Sequence, residues 1–151
     1  MLPSLLLGIV AGARSMTPLA AVANAARTGK LPRDNNAPDW LAHPLASAAT
    51  TALAAYELAG DKQHSAPDRI IPPAVVIRSL NAAFAGAVVA PREDRWKAAV
   101  LTGAVAVVAS YLTWHARMKA METHSQEITG LIEDAIVLPT AIAAATARQD
   151  S

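Results

Sequence analysis

Arg14, Glu133 and Asp134 are ionisable residues set inside apolar stretches, the arginine within 2–26 and the two acids within 128–147. A charge at the centre of a bilayer costs about 2.5 to 3.5 kcal/mol even on the most lenient insertion scale, so these groups must be paired or hydrated. A guanidinium keeps its proton and holds a carboxylate through two parallel hydrogen bonds, which predicts Arg14 facing Glu133 or Asp134. Gly12, Ser15, Thr17 and Pro18 crowd around Arg14, and Pro18 cannot donate a backbone hydrogen bond, so a helix break is expected there. Pro139, shortly after Asp134, predicts a related interruption in the last stretch. Broken helices meeting at the midplane are how many transporters build binding sites. The plainer reading is two kinks stapled by an ion pair, and the sequence leaves both open.

A second constellation closes the next stretch: Glu57, Asp61 and Lys62, with Arg78 further on. Glu57 and Asp61 stand four apart, which puts both carboxylates on one helix face, within reach of Arg78 on a following helix. A cation or proton site is conceivable; an interfacial charge cluster ending one helix and starting another is the commoner use of such residues. His43, His64, His115 and His124 lack metal-ligand spacing. Neither a Ser/His/Asp order nor a Gly-rich phosphate loop rises above chance.

These residues must be positioned by apolar helices. Five stretches, about 2–26, 40–59, 71–90, 96–116 and 128–147, are separated by segments that collect most of the Pro, Asp, Asn and Lys. Each approaches the ~20 residues that cross a hydrocarbon core at 1.5 Å per residue. From Ala98 to Trp114 no charged side chain occurs, so no face of that helix suits water. Hydrophobic residues make up 53% of the chain and charged residues 17%, below the roughly 25% of soluble domains, which favours lipid as the surroundings. Trp40, Trp96 and Trp114 fall near stretch ends, where an amphipathic ring suits the headgroup region. Gly8 with Gly12, and Ala82 with Gly86 and Ala90, are spaced for close helix approach. The fold class expected is therefore all-α: one polytopic transmembrane bundle over residues 1–151, with four to five spans and the first and last helices interrupted.

The 1–13 segment, with no Lys or Arg before its apolar core, reads as retained membrane structure and not as a signal peptide. Five spans would place the N-terminus outside and the C-terminus in the cytoplasm, by a modest Lys/Arg bias. Four spans, with a re-entrant first segment, would leave both termini on one side. A net charge of +1 without a basic stripe argues against nucleic acid as a partner. Absence of Cys excludes disulfides and thiolate chemistry.

The chain resembles the family catalogued as domain of unknown function 4126, small bacterial membrane proteins. The likeness rests on Gly12-Ala13-Arg14-Ser15 with Thr17 and Leu19, then Glu57-Leu58-Ala59-Gly60-Asp61-Lys62 with Pro67 and Arg69. It continues through Arg78, the small-residue run from Ala82 to Ala90, and Glu133-Asp134. It departs before Glu133, where Glu127-Ile128-Thr129-Gly130 replaces a more regular Asn-Pro-type turn. The resemblance implies a polytopic membrane protein and supplies no mechanism.

The functional expectation is a multi-pass protein of the bacterial inner membrane, a small transporter or channel-like protein for an ion or small solute. Its polar site would comprise Arg14, Ser15, Thr17, Glu133 and Asp134, with Glu57, Asp61, Lys62 and Arg78 near the mouth. So few helices would need a homodimer to enclose a path. A non-transporting scaffold or accessory subunit of a membrane complex is the alternative, with the buried charges specifying helix packing. A lipid-headgroup enzyme using Glu57 and Asp61 lacks a nucleophile or metal motif. No enzyme activity, cofactor or metal is expected.

Overall fold

In the computed structural model, which describes residues 1–60 and 70–147, the helices are α1 (Leu2–Ala13), α2 (Thr17–Arg27), α3 (Pro44–Gly60), α4 (Pro72–Val89), α5 (Arg95–Met121) and α6 (Gln126–Thr146). No strand occurs among the described residues. Prolines in the first turns of α1, α2 and α4 suit positions whose N–H has no helical acceptor. Ser125 starts α6 by accepting a hydrogen bond from the Ile128 amide on its side chain.

The first apolar stretch is a hairpin. Ser4 Oγ donates to the Gly86 carbonyl, while Arg78 donates to the Gly12 carbonyl, so α1 runs antiparallel to α4 from its C-terminal end to its middle. The chain then breaks at Arg14, whose backbone is extended (φ −140°, ψ 109°). Pro18 lacks the N–H that would have bonded the Arg14 carbonyl, which prevents one helix from running through. α2 returns: Val22, Ala23 and Ala25 pack with Leu7, Val88 and Val89, and Asn36 beyond it donates its amide to the Val88 carbonyl at 2.9 Å. At 12 and 11 residues, α1 and α2 are about 18 and 16 Å long, near half of a ~30 Å hydrocarbon core. Both therefore open on the α4 C-terminal side, and the stretch is re-entrant instead of a single pass.

The longer helices enclose this hairpin. α1 packs mainly on α4 and α5, and α2 on α3 and α6. Gly12 permits the close backbone approach of α1 to α5: a β-carbon there would lie 2.6 Å from the Ala109 carbonyl carbon and 2.7 Å from the Ser110 nitrogen. α4, α6 and the Arg92–Met121 segment holding α5 are each long and apolar enough to cross a membrane. Their outer faces carry Leu80, Val100, Leu112, Ile132 and Ile136 exposed, whereas Arg78 of α4 and Arg117 of α5 lie inside. That inverted distribution is what hydrocarbon surroundings select, since an exposed apolar side chain there costs nothing and an unpaired charge costs much. Trp40 stacks on Phe84 at 5.8 Å, and the Arg95 guanidinium lies 5.3 Å over Trp96, both at the hairpin's open end.

Two boundaries differ from the sequence reading. α5 extends to Met121, past the expected end near 116, and so carries Arg117 within the helix. α6 is continuous through Pro139, so the interruption expected in the last helix reduces to one missing backbone donor. Asp61 and Lys62 lie outside the described residues.

Candidate functional site

The charged site forms where the hairpin turns. Arg14, at 0% exposure, is the largest fully buried side chain among the described residues. Its Nε donates to Asp134 Oδ1 at 2.9 Å, and its Nη2 lies 2.7 Å from the same oxygen. Its Nη1 lies 3.1 Å from Glu133 Oε2. The expected pairing is therefore met by both acids, because one guanidinium has enough N–H groups to serve two carboxylates. Arg117 Nη1 also donates to Glu133 Oε2 at 3.1 Å, which places Glu133 between two guanidinia.

On the other side of the turn, Glu57 from α3 accepts two backbone amides, Ser15 N on Oε1 at 2.7 Å and Met16 N on Oε2 at 2.8 Å. These amides lead into α2, whose start carries the positive end of the helix dipole and unsatisfied N–H groups. A carboxylate is the group such a site binds. Arg78 Nη2 lies 3.7 Å from Glu57 Oε1, while its Nη1 donates to the Gly12 carbonyl at 2.9 Å. Thr113 Oγ1 donates to the same carbonyl at 3.2 Å, and Arg14 Nη1 to the Ala13 carbonyl at 3.2 Å. The orphan carbonyls that end α1 are thus met by cations and a hydroxyl, complementing the negative end of that helix.

The structure brings Arg14, Ser15, Glu57, Arg78, Glu133 and Asp134 together. Ser15 is further held by Asn81, whose Nδ2 donates to Ser15 Oγ at 3.0 Å. Thr17 sits beside this cluster but buries a hydroxyl that has no hydrogen-bond partner among the described residues. Three participants escaped the sequence reading. Arg117 lies just past the 96–116 stretch read from hydropathy; its signal is the face it shares with Ser110 and Thr113, at helical spacing. Asn81 and Thr113 are polar residues of apolar helices, where a hydroxyl or amide commonly bonds across to a neighbour.

The arrangement is one of mutual compensation: three arginines face three carboxylates at a turn where two half-helices end. A match to the family model described as Domain of unknown function (DUF4126) covers residues 1–147. The chain belongs to the DUF4126 family. Neither a curated protein nor a solved structure matches it. For this DUF4126 member the geometry must therefore stand for itself: a helical membrane protein with a re-entrant hairpin held by charged side chains of α3, α4 and α6 and by the Thr113 hydroxyl of α5.

Proposed function

We propose that this protein is a non-transporting membrane protein of the bacterial inner membrane, an accessory or scaffold component whose charged cluster clamps the re-entrant hairpin. One observation carries this reading. The Arg14 side chain is 1% exposed and held by two carboxylates, and the end of each half-helix is engaged by the protein's own side chains. In transporters built from broken helices, substrate or coupling ion takes that place. Polar groups that specify one packing are well attested in helical assemblies.

A second reading, a transporter in a closed arrangement, draws on Glu57 and Glu133, whose side chains keep 19% and 16% exposure beside the break. The experiment is purified protein in liposomes loaded with pH- and potential-sensitive dyes. The clamp reading expects ion flux equal to protein-free liposomes, and a lower melting temperature for Glu133→Gln. Flux that Glu133→Gln abolishes while melting stays unchanged would establish the transport reading instead. In a mild-detergent pull-down, a stoichiometric membrane partner would identify the complex served.

A further inference from the structure

A cavity of about 420 Å³ lies beside the charged turn, between α2, α3 and α6. Its floor is alanine, including Ala20, Ala21, Ala54, Ala55 and Ala141. Thr17 stands at the deep end, next to the break. Lys30 and Thr28, just past the end of α2, stand at the other end. The length of α2 sets the separation, about 16 Å at 1.5 Å per residue. Leu138 and Ile142 form the rim, and both are exposed on the apolar outer face of α6. The cavity is therefore a groove continuous with the surface that meets hydrocarbon.

The polar end is built by a specific turn. Gly29 adopts φ +66°, and the chain folds back so that the Lys30 amide bonds the Ala25 carbonyl at 2.8 Å and the Gly29 amide bonds the Ala26 carbonyl at 3.2 Å. This is a glycine-dependent helix stop, for which a left-handed residue is required. It sets Lys30 over the groove's end, with no carboxylate among the groove-lining residues. Lys30 makes no ion pair among the described residues.

We infer that this groove binds one acyl chain of an anionic phospholipid, the chain lying along the alanine floor and the phosphate resting on Lys30. The sequence of environments matches that occupant: apolar and open to lipid along its length, cationic at the end on the headgroup side. A second copy of the chain docking through this face would bring no acid from the groove to meet Lys30. The inference holds whether or not the charged turn moves a solute, since the two sites use different residues apart from Thr17.

The test is delipidated protein in detergent, titrated with phosphatidylglycerol or with phosphatidylcholine of the same chains and followed by native mass spectrometry. Wild type should bind phosphatidylglycerol more tightly. Lys30→Glu should lose at least about fivefold of that preference, the equivalent of ~1 kcal/mol for one basic residue near an anionic surface. Ala55→Phe, at an exposed groove position, should block both lipids and leave the melting temperature of the lipid-free protein unchanged. Inorganic phosphate alone should neither bind detectably nor raise the melting temperature. Undiminished phosphatidylglycerol binding in Ala55→Phe, or equal preference in Lys30→Glu and wild type, would overturn the inference. So would an Ala55→Phe variant that turned a dimer into a monomer without losing lipid, which would assign the groove to a second copy.

Discussion

Neutralising Asp134 should damage the fold by removing the strongest partner of Arg14 at the turn. Asp134 Oδ1 takes both the Nε and Nη2 contacts of Arg14, at 2.9 and 2.7 Å. Asp134→Asn keeps an acceptor of the same shape but removes its charge, and hydrogen bonds to a neutral acceptor are roughly half as strong as charge-assisted ones. Arg14 would then lean on Glu133, whose Oε2 it already shares with Arg117. Stranding one member of a buried pair costs about 3–5 kcal/mol; with the amide partly compensating, about 3 kcal/mol is expected. At about 2–4 °C per kcal/mol for a chain of this size, the melting temperature should fall about 6–12 °C. Thermal unfolding in detergent, with size-exclusion chromatography as a check on aggregation, reads this directly. Arg14→Met should be at least as damaging, because it leaves two acids for Arg117. The double variant Arg14→Met/Asp134→Leu should recover much of the loss, since Arg117 and Glu133 then remain balanced and an apolar pair can replace a buried ionic one. Single variants within about 0.5 kcal/mol of wild type, or a double variant as damaged as the sum of Arg14→Met and Asp134→Leu measured singly, would refute the clamp.

Glu57→Gln should release the start of α2, because one of the two amides at Ser15 and Met16 would face an NH₂ group; a loss of about 1–3 kcal/mol is expected, with faster hydrogen exchange at 15–17 as the local readout. Gly12→Ala should cost about 1–3 kcal/mol in thermal unfolding through its clash with the α5 backbone at Ala109 and Ser110. The chain has no native cysteine, so single cysteines at the exposed positions Leu2, Lys30, Arg92 and Thr123 can be labelled with an impermeant maleimide in sealed vesicles. The re-entrant hairpin requires the first three to react from one side and Thr123 from the other; Leu2 and Lys30 reacting from opposite sides would restore a full first span.

Hydrocarbon as the surroundings was legible from residues alone. The uncharged run from Ala98 to Trp114 leaves no helix face for water. An arginine amid apolar residues must find a partner, because lipid penalises an unpaired charge wherever the chain puts it. The same penalty made Arg14 seek Glu133 or Asp134, although these residues lie far apart in sequence. The break at Arg14 was equally local, since Pro18 removes a helical hydrogen bond whatever surrounds it. Periodicity says nothing of direction, however. A break between two apolar half-helices fits a kinked span as well as a hairpin, and only the packing of α2 against Leu7, Val88 and Val89 shows that the chain turns back.

Tertiary structure also decided which charges share the turn. Arg117 joins because α5 runs one turn further than its hydropathy suggested, and Glu57 meets the amides of Ser15 and Met16 because α3 crosses the hairpin at that height. Composition and local backbone chemistry thus determined the solvent, the helices and the need for partners, all of which depend on a residue and its near neighbours. The identity of each partner and the return of the hairpin depend on how helices distant in sequence cross. That is a matter of which small residues, such as Gly12 against Ala109, let two backbones approach.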